Sequence, residues 1–91
     1  MAAADDPVLG EARERISAVD RRILDALNER LELVRELWRY KAERGLPVLA
    51  PDREHALIEQ LARENPGPLS ERGLTQIYTE VLALMKRELG A

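Results

Sequence analysis

Behind Gly10 the chain runs to about Arg44 without a proline or a glycine. Over that stretch Leu9, Ala12, Ile16, Val19, Ile23, Leu27, Val34 and Leu37 step mostly by threes and fours, as on one face of an α-helix. Gly45 and Pro47 then stop the helix in the order expected of a C-terminal break. About 35 residues at ~1.5 Å each give a rod of roughly 50 Å. A compact domain of this length has a radius of gyration near ~12 Å, so it is only about 30 Å across. The helix overshoots its own domain and carries apolar surface that the same chain cannot cover. A second copy, its long helix antiparallel about a two-fold axis, is the simplest cover. The expected fold is all-α: a three-helix protomer with one very long first helix, in an intertwined antiparallel homodimer.

The rest of the chain supplies the other two helices. One should begin near Pro51, where proline is tolerated in the first turn, and run through His55, Ile58 and Leu61 to about Glu64. Asn65-Pro66-Gly67-Pro68 breaks it. Ser70 reads as the N-cap of a last helix carrying Leu74, Ile77, Val81, Leu84 and Met85. No strand pattern or internal repeat is present, and residues 1–91 read as one domain, with 1–8 expected to be disordered. Phenylalanine is absent and Trp38 is the single tryptophan, so the core must come from Leu, Ile, Val and Ala.

Charge and composition narrow the function. The absence of cysteine removes disulfides and thiolate metal sites and fits a reducing cytoplasm. Met1 to Gly10 lacks the basic start and apolar stretch of an export signal, and no apolar run approaches the ~20 residues of a membrane span. A formal charge of −3 gives no general attraction for nucleic acid, so an anionic ligand needs a local basic cluster.

The first helix offers such a cluster. Arg30 and Lys41 are eleven residues apart, which at ~100° per residue puts them within about 20° on one face and roughly 16 Å apart along the axis. Val34 and Leu37 lie between them, giving a mostly apolar strip with a cation at each end. Arg39 is turned about 160° away from Lys41. Arg13 sits ~25 Å from Arg30 along the helix, too far to share one small ligand within a chain. In an antiparallel dimer the partner's copy of Arg13 reaches the strip, provided that the two-fold axis crosses near Ile23 or Leu24. The competing reading is a solvated charged face, which on spacing alone is the commoner outcome, since Arg and Lys are good helix formers on any surface. His55 reads as exposed and structural, Trp38 and Tyr40 as packing. Glu32 and Glu36 beside Arg35 read as helix ion pairs.

The run Glu11-Ala12-Arg13-Glu14-Arg15-Ile16-Ser17-Ala18-Val19-Asp20 resembles the opening "LRxxIxxID" of the AroQ-class (all-helical, type II) chorismate mutases. Ile23-Leu24-Asp25-Ala26-Leu27-Asn28-Glu29-Arg30 is similar to that family's "ILxLLxxR". Lys41 falls where the family has its lysine, and Asp52-Arg53-Glu54 resembles the "xRE" that opens its second helix. The resemblance runs from about Val8 to Leu89. It implies a dimer with two equivalent sites that rearrange chorismate to prephenate in phenylalanine and tyrosine biosynthesis, without cofactor or metal. Arg13 of the partner and Arg30 would grip the two carboxylates. Lys41 would face the ether oxygen, Glu54 would take the ring hydroxyl, and Arg53 would lie beside the site.

These residue types suit a one-step pericyclic shift, which requires no nucleophile or general base. Two fixed guanidinium groups fold the substrate into its reactive shape through bidentate contacts. A cation at the ether oxygen meets negative charge that develops as the C–O bond breaks, and so favours the transition state over the ground state.

Two places depart from the family's pattern. Aligning Ile77-Tyr78-Thr79-Glu80 with the family's "IFxEI" puts Leu89 in the slot of a late-helix donor to the ether oxygen and Met85 in a polar slot one turn earlier. Either Glu88 serves there in its protonated form, with Lys86 and Arg87 nearby, or the site works with one donor fewer. Ala50 replaces an acidic residue often found before the "xRE". Arg87-Glu88-Leu89-Gly90-Ala91 is similar to the terminal segment of short mutases that are activated by docking on DAHP synthase, which implies that enzyme as a partner. Isochorismate–pyruvate lyases share the fold and resemble Trp38-Arg39-Tyr40-Lys41-Ala42 and Ala50-Pro51-Asp52-Arg53, but as a resemblance they lack an acid at the position of Glu54. Aminodeoxychorismate mutases would use the same carboxylate clamp. A non-catalytic helical dimerisation or regulatory domain is the reading from another class; it would leave Arg13, Arg30 and Lys41 as costly cations around an empty apolar strip.

Overall fold

A computed structural model of the chain describes residues 6–91. Three helices follow in order: α1 (Pro7–Glu43), α2 (Pro51–Glu64) and α3 (Glu71–Glu88), with no strand among the described residues. The all-α, three-helix reading holds, with boundaries close to those expected. The start of α1 is the exception. Asp6 caps it, its Oδ1 accepting from Val8 N at 2.9 Å, and Pro7 occupies the first helical position. This acid-then-proline start is a strong signal, because the capping oxygen satisfies an orphan N–H and proline gives up a donor that has no intrahelical acceptor. Pro7 and Val8 thus belong to the first turn of α1; residues 1–5, part of the 1–8 stretch expected to be disordered, lie outside the described residues.

The end of α1 is built by its glycine. Gly45 has φ of +67°, Gly45 N donates to Ala42 O at 3.3 Å and Leu46 N donates to Lys41 O at 2.9 Å. That pair of bonds closes the last carbonyls of the helix in a Schellman motif. A Cβ on Gly45 would meet nothing within 4 Å, so the demand for glycine is conformational. Gly45→Ala is expected to lower stability by roughly 1–2 kcal/mol, the cost of left-handed backbone for a residue with a Cβ, read as a lower urea midpoint with unchanged slope.

Between α2 and α3 the Asn65 side chain organises the breaker, donating to Leu69 O at 2.8 Å and accepting from Gly67 N at 3.0 Å. The Gly67–Pro68 peptide is cis. Ser70 is the expected N-cap, its Oγ accepting from Gly73 N at 3.0 Å. Pro51, Asp52 and Glu54 start α2, the two carboxylates favourably placed at the positive end of the helix dipole.

The described residues divide into two units, one ending at Leu33 and the other running from Val34 to Ala91. The first contains α1 as far as Leu33. None of α1 is buried, and Ile16, Val19, Ile23, Leu24 and Leu33 are between 42% and 61% exposed. The second unit holds the end of α1 together with α2 and α3. There α2 packs on α3, and the buried core among the described residues is Leu74, Leu82 and Met85 of α3. Leu57, Ile58, Leu61 and Ala62 of α2 are half-buried, as are Trp38 and Tyr78. Tyr40 is half exposed, with the Arg44 guanidinium 3.7 Å above its ring, so it packs against a cation at the surface. Leu37 is also 50% exposed. His55 is exposed, as expected, and pairs with Glu59 at 2.8 Å. No helix among the described residues is long and apolar enough to cross a membrane.

Candidate active site

Lys41 stands in the last turn of α1, half-buried. The turn that Gly45 closes is anchored on its carbonyl, which receives Leu46 N, so the residue's backbone is fixed by the cap itself. Its Nζ donates to Val48 O at 3.4 Å, in the connection that leads to α2. An ammonium carries three donors, and this long bond uses one of them.

Glu54 lies in the first turn of α2 and is half-buried. Its backbone N donates to Ala50 O at 3.0 Å, and its Oε1 accepts from Lys86 Nζ at 2.9 Å. This ion pair ties the beginning of α2 to the last turn of α3, as an antiparallel hairpin requires. Arg53, next to Glu54, is exposed.

At the end of α3, Glu88 is exposed, whereas Leu89 is the half-buried C-cap and Met85 is only 4% exposed. The alternative between Glu88 and Leu89 for the late-helix slot thus contrasts a solvated carboxylate with a partly covered apolar side chain. Arg87 pairs with Glu80 at 2.6 Å. Gly90, with φ of +88°, closes α3 as Gly45 closes α1: Gly90 N donates to Arg87 O at 3.2 Å and Ala91 N to Lys86 O at 2.8 Å.

Arg13 and Arg30 belong to α1 within the first unit, Arg13 exposed and Arg30 half-buried. Sequence reasoning named Lys86 only as a neighbour of Glu88 and missed its bond to Glu54. The available signal was opposite charge at the two ends that an α2–α3 hairpin brings together. Among the described residues no group of three His, Cys, Asp or Glu side chains is arranged to hold a metal ion.

Residues 12–88 match the type II chorismate mutase family, a span that includes Arg13, Arg30, Lys41, Arg53, Glu54 and Glu88. The chain belongs to the type II chorismate mutase family. A solved chorismate mutase from Thermus thermophilus (form I) superposes with a TM-score of 0.82 at 34% identity, covering 85% of this chain and 96% of that one. Form II of the same enzyme gives 0.83 at 33% identity, covering 87% and 90%. Among curated relatives, the bifunctional chorismate mutase/prephenate dehydratase of Aquifex aeolicus is 33% identical over 79 residues, which is 82% of this chain and 22% of that protein. The chain therefore spans about a fifth of that bifunctional relative's length, but nearly the whole of the Thermus chorismate mutase.

Proposed function

We propose that this chorismate mutase family member converts chorismate to prephenate as a homodimer with two shared sites. The observation that carries the reading is the family match across residues 12–88, which takes in all the cations and the acid that the reaction would use. In each site Arg30 and the partner copy's Arg13 clamp the substrate's carboxylates. Lys41 meets the charge developing on the ether oxygen, and Glu54 accepts from the ring hydroxyl with Arg53 alongside. Glu88 is the polar candidate at the end of α3.

The dimer has its own support. Leu9, Ile16 and Ile23 recur every seventh residue on α1, with Val19 and Leu33 on the adjoining positions of the same seam. These residues are between 37% and 61% exposed in a single chain. A seven-residue apolar repeat is the signature of one helix packed along another, and a second α1 is the cover that also brings Arg13 to the strip. The reading also assigns a cytoplasmic location, supported by the cysteine-free sequence, and a DAHP synthase as the partner of the C-terminal turn around Gly90.

The test is loss of chorismate with the product identified by NMR. Prephenate from the unaltered chain, and none above background from Arg30→Ala, is the expected result. Binding and turnover of isochorismate alone, giving salicylate and pyruvate, would replace the mutase reading with a lyase.

A further inference from the structure

The mutase reading gives Glu54 a task and leaves Lys86 with none. A carboxylate is an awkward neighbour for a dianion. Unless its charge is cancelled it repels the ligand, and it competes for the cations that the ligand needs. Lys86 Nζ lies 2.9 Å from Glu54 Oε1, and the two side chains are 33% and 29% exposed, so the pair is shielded from much of the solvent. The other cations nearby in sequence are placed differently: Arg53 is exposed, and Arg87 is engaged with Glu80.

We propose that Lys86 is a positioning residue for the reaction: its ammonium holds the Glu54 carboxylate, cancels its charge toward the dianionic substrate and leaves Lys41 unclaimed. The inference rests on the role of Glu54 given above. Lys86 is itself well held. It follows the buried Met85, and its carbonyl receives Ala91 N at 2.8 Å in the turn that Gly90 closes. Lys41 serves the same end of the second unit. Its Nζ reaches Val48 O, two residues before Ala50, whose carbonyl accepts from Glu54 N. Without Lys86 the Glu54 carboxylate would stand uncompensated in the unit that also carries Lys41, the cation meant for the ether oxygen.

The experiment compares Lys86→Met and Lys86→Arg, each alone and combined with Glu54→Gln, by steady-state kinetics on chorismate. Lys86→Met is expected to raise KM about tenfold, more than it lowers kcat, because it unmakes ground-state complementarity as well as the transition-state cation. Lys86→Arg is expected to stay within about threefold of the unaltered chain, since a guanidinium also holds a carboxylate. In the Glu54→Gln background Lys86→Met should change nothing further, because the carboxylate it serves is gone. An unaltered KM and kcat in Lys86→Met overturns the proposal. So does a loss that persists in full with Glu54→Gln, which would mean that the ammonium touches the substrate itself. The Glu54→Gln/Lys86→Met double variant leaves no unpaired charge and guards against a folding defect. Turnover by the unaltered chain in the same assay tests the mutase reading separately: its absence overturns both, whereas turnover with an indifferent Lys86→Met overturns this one alone.

Discussion

Lys41→Ala is expected to lower kcat by about a thousandfold while leaving the helices intact. The magnitude follows from where the charge is needed. A pericyclic shift offers the enzyme no covalent step to assist, so a cation facing the breaking C–O bond is among its few means of separating transition state from ground state. Removing a single preorganised donor of this kind costs about 3 kcal/mol in other oxyanion sites, and Lys41 brings a full charge. In the folded chain its side chain makes one long bond to Val48 O. Loss of that bond should cost stability no more than about 1 kcal/mol. The two effects separate the readings: a lysine that merely fastens the α1–α2 connection would lower the melting temperature and spare the rate. Lys41→Arg is not expected to restore the rate, because a wide planar fork cannot put a point charge on one ether oxygen. Circular dichroism and thermal melting beside the kinetics decide it.

The second large effect is expected at a residue that looks idle within its own chain. Arg13 is exposed on α1, in the first unit, and makes none of the hydrogen bonds or ion pairs seen among the described residues. By ordinary surface arithmetic Arg13→Ala should change stability by less than about 0.5 kcal/mol. If Arg13 instead closes the partner's site on a substrate carboxylate, the variant loses a charge-assisted bidentate contact of about 3 kcal/mol, and kcat/KM falls about a hundredfold. A surface residue whose removal leaves folding untouched and disables turnover is best explained by a site completed across an interface. If the proposed dimer is held by the apolar seam of α1, sedimentation of the variant should show it unchanged.

Much of this was legible in the sequence because the punctuation is strong. Gly45, Pro47, Pro51 and the Asn65–Pro68 breaker each act through local backbone chemistry, so the ends of α1, α2 and α3 fall close to where spacing alone puts them. The Asp6-Pro7 start is equally local, but the apolar periodicity that marks the helix begins only at Leu9. What could not be read were features set by how helices meet. Tyr40 reads as packing, and the structure adds that what it packs against is the Arg44 guanidinium at the surface. The bond between Lys86 and Glu54 joins residues thirty-two apart, and the pairing depends on the register of α2 against α3. No helix-face argument within one element can supply that register. The same limit applies to the late-helix slot: alignment put Leu89 or Glu88 there, and the structure adds that Leu89 is half-buried and Glu88 exposed.

One mixing experiment tests directly whether each site is assembled from two chains. Arg13→Ala and Lys41→Ala, each nearly inactive alone, are co-expressed under separate tags and purified as an equal mixture. Half of the dimers should then be hybrids, each with one site that has both Lys41 and the partner's Arg13 intact. The mixture is expected to recover about a quarter of the unaltered activity, and hybrids selected through both tags about half. A mixture as inactive as its two parents, with hybrid dimers demonstrably present, would contradict the shared site and leave Arg13 and Lys41 acting within a single chain.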